Sequence, residues 1–184
     1  MDTRALVRVA LFAAIIASLG LLPKFDLPLA GGVPITAQTL GVMLAGALLG
    51  PRQGPLAVLL FLFVVILGAP LLAGGRGGLG VLFGPSVGFL IGWVPGAFLT
   101  GLVVRALARF GAFASATAAS IVGGIIAIYV CGVPVLAYKT NMTLWQALLG
   151  SAGFLPGDLL KAIATGFIAQ AAHRIGLQPA PSRA

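Results

Sequence analysis

Only three acidic residues and one histidine occur among 184 residues, so any chemistry must be carried by a handful of positions. Asp158 and Lys161 stand three apart in Leu155-Pro-Gly-Asp-Leu-Leu-Lys161, within an otherwise apolar run. On a helix that spacing puts both on one face. Ionisable groups inside an apolar span are costly, and they usually face an interior or a water-filled cavity. An aspartate there can accept two N–H bonds from an amide- or urea-like group, and a lysine can pair with a carboxylate. Taken alone, the pair is equally consistent with a mutually neutralising ion pair that only holds helices together.

The other unusual polar positions are Thr36 and Gln38 after a Pro-rich stretch, Arg76 in the loop Ala73-Gly-Gly-Arg-Gly-Gly-Leu-Gly80, and Tyr138 in the turn Tyr138-Lys-Thr-Asn141. Gly74, Gly75, Gly77 and Gly78 let the loop backbone approach a ligand closely and offer free N–H groups. Arg76 is a second candidate for pairing a carboxylate, and Trp93, Phe83 and Phe154 can cover an apolar body. Enzyme signals are poor. There are no paired histidines for a metal and no plausible nucleophile–base pair. His173 sits near the end of the last apolar run and reads as interfacial. There is no Walker A sequence. Residues 75–80 match G-x-G-x-x-G but follow an apolar helix rather than a strand, which argues against a dinucleotide site. Neither a metal nor a cofactor is expected. The lone Cys131 excludes an intramolecular disulfide framework and reads as packing.

The elements that must hold these residues follow from composition. Hydrophobic residues make up 60% of the chain and charged residues 8%, with a mean hydropathy of +1.14. A soluble domain is about a quarter charged, so this chain's apolar surface must face lipid. The net charge of +8 is scattered singly between apolar runs and forms no stripe, which argues against nucleic acid. Long continuous runs, without strict alternation, indicate helices rather than a barrel. The expectation is an all-α integral membrane protein in a single domain, 1–184. Six transmembrane helices are expected at about 4–22, 36–50, 54–72, 81–109, 113–138 and 145–174, with a short disordered tail at 178–184. The first apolar stretch, behind Arg4 and Arg8, reads as a retained helix rather than a signal peptide, because more spans follow it.

With the N-terminus in the cytoplasm, Arg4, Arg8, Arg52, Arg105, Arg109, Arg174 and Arg183 fall inside, and Lys24, Arg76 and Lys139 fall outside. The positive-inside rule favours that orientation, with both termini cytoplasmic. Asp158, Lys161, Arg76, Thr36, Gln38 and Tyr138 then converge on the outer half, where a pocket open to the outside is the better reading. Gly80, Gly84, Gly88, Gly92 and Gly96 recur every fourth residue along the fourth run, and Ala10/Ala14 and Ala13/Ala17 do so in the first. Small residues at that spacing let a second helix approach closely, within the chain or from another protein, and the glycine stripe is also compatible with a homo-oligomer. Pro95 is a candidate kink.

Three segments together carry a family resemblance: Pro34-Ile-Thr-Ala-Gln-Thr39, the loop 73–80 running into Gly84-Pro-Ser86, and Pro156-Gly-Asp-Leu-Leu-Lys161. The chain resembles BioY, the biotin-specific substrate-binding (S) components of energy-coupling factor (ECF) transporters, over its whole length. The resemblance implies the S-component bundle, with its pocket near the extracytoplasmic face, in the cell membrane. Biotin would be the transported ligand. The partners would be a transmembrane coupling (T) protein and two ABC-type ATPase subunits, whose stroke reorients the bundle. Asp158 and Lys161 would meet the ligand's polar groups, with Asp158 on the ureido N–H donors. Arg76 would be the candidate for the valerate carboxylate, under a lid shaped by Gly74, Gly75, Gly77 and Gly78. Thr36 and Gln38 would be in the pocket wall. Ala10 and Ala14, or in a second frame Ala13 and Ala17, would dock the coupling protein. The rival readings are an S component for another vitamin, an intramembrane enzyme and an oligomeric channel. A cationic vitamin would favour more acid than Asp158 and Asp26 provide, an enzyme would need more than one charged pair, and the same pair gives no ion path.

Overall fold

The computed structural model describes residues 2–26 and 31–176. The expected tail at 178–184 and the side chain of Asp26 lie outside the described residues. The chain is helical almost throughout: α1 (Thr3–Leu19), α2 (Gln38–Ile66), α3 (Val87–Ala106), α4 (Ala112–Ala119), α5 (Ile128–Thr140), α6 (Leu144–Ala152) and α7 (Leu155–Arg174). The two-residue strands β1 (Phe25–Asp26) and β2 (Pro34–Ile35) pair antiparallel and fix the entry to α2. Local chemistry sets the ends. Asp2 caps α1 by accepting the Arg4 N–H at 2.6 Å. Thr143 and Gln146 exchange side-chain and backbone bonds in a capping box that starts α6. Asn141, with φ 53°, closes α5 in the left-handed conformation that asparagine tolerates.

Among the described residues, Gln38–Ile66, Val87–Ala106 and Ala112–Thr140 are each long and apolar enough to cross a membrane, and α6 with α7, bent by 55° between them, makes a fourth such unit. The element α2 is not straight. Gly50 has φ 81° and ψ −176°, outside the helical region, and the chain doubles back there. Ala45 and Ala57 pack in one cluster with Val9, although a straight helix would set them about 18 Å apart. A Cβ on Gly54 would lie 2.8 Å from the Ala45 carbonyl. The break expected at 51–53 is therefore one residue, Gly50, and Pro51 begins the second limb, where its missing N–H costs nothing.

Elsewhere the expected limits shift. The third run ends at Ile66 rather than 72, because 67–78 fold into a compact loop. The fourth begins as a 3₁₀ turn (Leu79–Leu82), and α3 proper starts at Val87. Pro95 sits inside α3 without breaking it. The fifth is continuous over Ala112–Thr140 but passes through a π-helical stretch, Ser120–Ala127, which widens the helix by i→i+5 bonding.

The core lies where α1, both limbs of α2, α3 and α5 meet, around Ile16, Val42, Phe61, Trp93, Ile128 and Leu136. Between α3 and the Ala112–Thr140 helix the contact is made by glycine. A Cβ on Gly92 would stand 3.0 Å from the Ile128 carbonyl, and one on Gly96 would stand 2.8 Å from the Gly123 carbonyl. This is packing within the chain, so the stripe's central positions are not available to a second copy. Gly80 and Gly84 precede the helix and take no part in it, since a Cβ on Gly80 would meet nothing within 4 Å. Gly96→Ala should therefore destabilise the purified protein by about 1–3 kcal/mol through overpacking, read as a lowered thermal midpoint in detergent. Gly80→Ala should leave the midpoint unchanged; equal effects would contradict this packing.

Candidate functional site

The first turns of α7 carry Asp158 and Lys161, and the i, i+3 spacing aims both inward. Lys161 Nζ donates to Asp158 Oδ1 at 2.8 Å and to Thr39 Oγ1 at 2.9 Å. Tyr129 Oη donates to the other carboxylate oxygen, Asp158 Oδ2, at 2.9 Å. Three elements thus converge on one ion pair: Thr39 from the start of α2, Tyr129 from the start of α5, and the pair itself from α7. Asp158 is only 6% exposed.

A cavity opens against this polar knot. It is narrow, about 60 Å³, well under the volume of an open small-molecule site, so a ligand larger than a few atoms must part its walls to enter. Thr36, Thr39, Tyr129, Asp158 and Lys161 provide its polar groups. Val33, Pro34, Ile35, Phe89, Trp93, Ile128 and Phe154 provide apolar wall, with Gly124 of the π-helical stretch between them. The aromatic rings interlock edge to face. Phe89 meets Tyr129 at 6.0 Å and 82°, and Phe154 at 6.1 Å and 83°, geometries that suit the ring quadrupole. Phe154 reaches the cavity because the chain bends between α6 and α7. A buried carboxylate with an ammonium beside it, facing apolar walls, suits a small, mostly apolar ligand that presents N–H donors to the acid.

Of the residues singled out in the sequence, Asp158, Lys161 and Thr36 line this cavity, with Trp93 and Phe154 among its walls. Gln38 does not. It is 1% exposed, and its amide is spent on backbone: Nε2 donates to the Ile16 and Leu71 carbonyls, each at 3.1 Å, and Oε1 accepts the Ala73 N–H at 2.9 Å. It is a strap that ties the end of α1 to the loop after α2. Tyr138 is 83% exposed and Phe83 is also exposed, and neither lines the cavity.

Arg76 lies in the loop, where its guanidinium donates to the Ala73 carbonyl and to Ser86 Oγ, each at 3.3 Å. The loop glycines have local reasons to be glycine. Leu72 and Arg76 exchange backbone bonds around a turn in which Gly74 and Gly75 take φ of 81° and 70°. At Gly77 any Cβ would run into the Ala69 carbonyl, and Gly78 has φ 77°. Gly74 and Gly75 line a separate surface groove with Lys24 and Pro70. On α1, Ala13 is buried and Ala17 packs against the core, whereas Ala10 and Ala14 are exposed. The second alanine frame is thus used up inside the chain, and only the first is open to another protein.

Tyr129 and Thr39 are the site residues that the sequence reading missed. The available signal was position: of the two tyrosines, Tyr129 is the one in mid-run, where a polar group seeks an interior partner.

Fold and cavity together define a helical membrane protein with a polar-ended cavity walled by its own bundle. The chain belongs to the BioY family, which it matches over residues 1–177. It is 44% identical over 189 residues to the biotin transporter BioY of Rhizobium etli, covering the whole of both chains. It is 48% identical over 171 residues to the biotin transporter BioY of Rhodobacter capsulatus, covering 88% of this chain and 89% of that one. Its fold is similar to the crystal structure of the S-component for biotin from an ECF-type ABC transporter, with a TM-score of 0.86 and 32% identity over 95% of each chain.

Replacing Gln38 by Ala strands the buried Ala73 N–H and two carbonyls. The expected cost is about 1–3 kcal/mol, seen as a lower thermal midpoint and as faster hydrogen exchange at Ala73. Unchanged exchange there would contradict the strap.

Proposed function

We propose that this chain captures biotin and serves as the substrate-binding component of an ECF-type transporter in the cell membrane. The observation that carries the reading is the Asp158 carboxylate. It is buried, balanced by Lys161, and set at the polar end of an aromatic-walled cavity. Biotin pairs a cyclic urea with an apolar sulfur ring and an acid chain. The ureido N–H groups suit Asp158, the ureido oxygen suits the Lys161 ammonium, and the ring system suits Phe89, Trp93 and Phe154. Family membership and the close relatives named as biotin transporters support the same ligand. Arg76 remains our candidate for the carboxylate. It is held by Ser86 and Ala73 in its own loop, so that role requires the loop to swing over the cavity mouth.

We read the two limbs of α2 as separate crossings, which with α1, α3, the Ala112–Thr140 helix and the α6–α7 pair would make six membrane-crossing units. An even number returns both termini to one side, and the arginine excess near Arg4, Arg8, Arg52, Arg105, Arg109 and Arg174 favours the cytoplasm for it. Asp158 then lies in the outer half, so the cavity fills from outside. The exposed Ala10/Ala14 face of α1 is our candidate for docking a transmembrane coupling protein, with two ATPase subunits supplying the energy. Close helix approach at small residues is the physical reason.

Two measurements test this. Equilibrium titration of the purified protein with biotin should give tight, saturable binding that Asp158→Asn weakens at least tenfold, about 1.4 kcal/mol; a folded wild-type sample that does not bind biotin would remove the assignment. Ala10→Leu combined with Ala14→Leu should abolish ATP-driven uptake in cells while leaving biotin affinity within twofold. Unimpaired uptake would remove the docking face.

A further inference from the structure

We propose that Tyr129 sets the ligand selectivity of this cavity by holding the Asp158 carboxylate in one orientation and by facing the ligand only as an acceptor. The inference rests on the biotin reading above and deepens it. A phenol has one proton. Here that proton is committed to Asp158 Oδ2 at 2.9 Å, while Lys161 engages Oδ1 at 2.8 Å. With a donor on each oxygen, the carboxylate has no freedom to rotate about its last bond, and its remaining lone pairs keep fixed directions. Tyr129 also lines the cavity, and with its proton spent its oxygen has only lone pairs to offer. This corner of the site therefore sets two acceptors, Asp158 and Tyr129, beside the Lys161 ammonium and the Thr39 hydroxyl, which both donate toward Asp158 Oδ1. It welcomes ligand N–H groups and repels a ligand oxygen or a methylated nitrogen in the same place.

The ring is fixed well enough to do this. Tyr129 stands edge to face with Phe89 at 6.0 Å and with Phe154 at 6.5 Å. It stands two residues beyond the π-helical stretch Ser120–Ala127, and a wide turn of this kind changes which face the next residues present. Sites built to bond a particular N–H discriminate strongly because the unsuited ligand leaves buried polar groups unpaired.

The test compares wild type, Tyr129→Phe and Phe89→Leu in equilibrium titrations with two probes, biotin and biotin methylated on a ureido nitrogen. Tyr129→Phe keeps the ring contacts and removes only the hydroxyl. The wild type should prefer biotin by a hundredfold or more. Tyr129→Phe should weaken biotin at least tenfold and shrink the preference at least tenfold. Phe89→Leu, which removes apolar wall and one ring contact of Tyr129 but leaves its hydroxyl on Asp158, should weaken both probes and keep a larger preference than Tyr129→Phe. A preference unchanged in Tyr129→Phe, however much the affinity falls, makes Tyr129 structural and overturns the inference. A folded wild type that binds neither probe overturns the biotin reading and this inference with it. If Tyr129→Phe does not fold, 3-fluorotyrosine in a Tyr138→Phe background leaves a single fluorine reporter, since the chain has two tyrosines. Its resonance should move on adding biotin and not on adding the methylated probe. A resonance indifferent to biotin overturns the inference.

Discussion

Withdrawing a carboxylate and an ammonium from water costs several kcal/mol for each ion, and their attraction repays this only when geometry and hydrogen bonds are nearly complete. The Asp158–Lys161 pair meets that condition with help from two other elements: Thr39 receives the ammonium and Tyr129 occupies the second carboxylate oxygen. The pair therefore constrains where α2 and α5 stand relative to α7. Held that way, these helices leave a cavity between the polar knot and the rings of Phe89, Trp93 and Phe154. The contacts proposed to position a ligand are the ones that hold the bundle together.

In lipid, apolar side chains gain nothing by leaving the solvent for one another, and close backbone approach takes over as the cohesive term. That is the role of Gly88, Gly92 and Gly96 against the Ala112–Thr140 helix, and of Gly101 against Gly50 and Pro51. Glycine costs helical stability, and the chain accepts that cost where two helices must nearly touch. The Gly50 reversal and the Gln38 strap do complementary work at opposite ends of the first α2 limb. One turns the chain back on itself, and the other binds α1 to the loop that follows the second limb.

Much of this was legible in the chain. Apolar run lengths located the helical regions, and the i, i+3 spacing of Asp158 and Lys161 located the ion pair, because both depend on local periodicity. What was illegible depended on partners distant in sequence. Gln38 looked like a pocket residue because a buried amide has the same appearance whether it meets a ligand or three backbone groups. Tyr138 drew attention as a turn residue, while Tyr129, hidden in an apolar run, was the one facing Asp158. The loop glycines suggested a ligand lid, but positive φ at Gly74, Gly75 and Gly78 and crowding at Gly77 give each a reason within the loop. The choice between the Ala10/Ala14 and Ala13/Ala17 frames turned on which face of α1 the rest of the chain covers, and spacing does not encode that.

The central claim is that biotin sits in the cavity between Asp158 and the aromatic cluster. A crystal structure of the protein grown with biotin tests it most directly. The account predicts ligand density there, with a ureido nitrogen within about 2.7–3.2 Å of an Asp158 oxygen and the fused rings against Trp93 and Phe154. Ordered biotin in the groove beside Lys24, Gly74 and Gly75, with the Asp158 cavity closed, would contradict it.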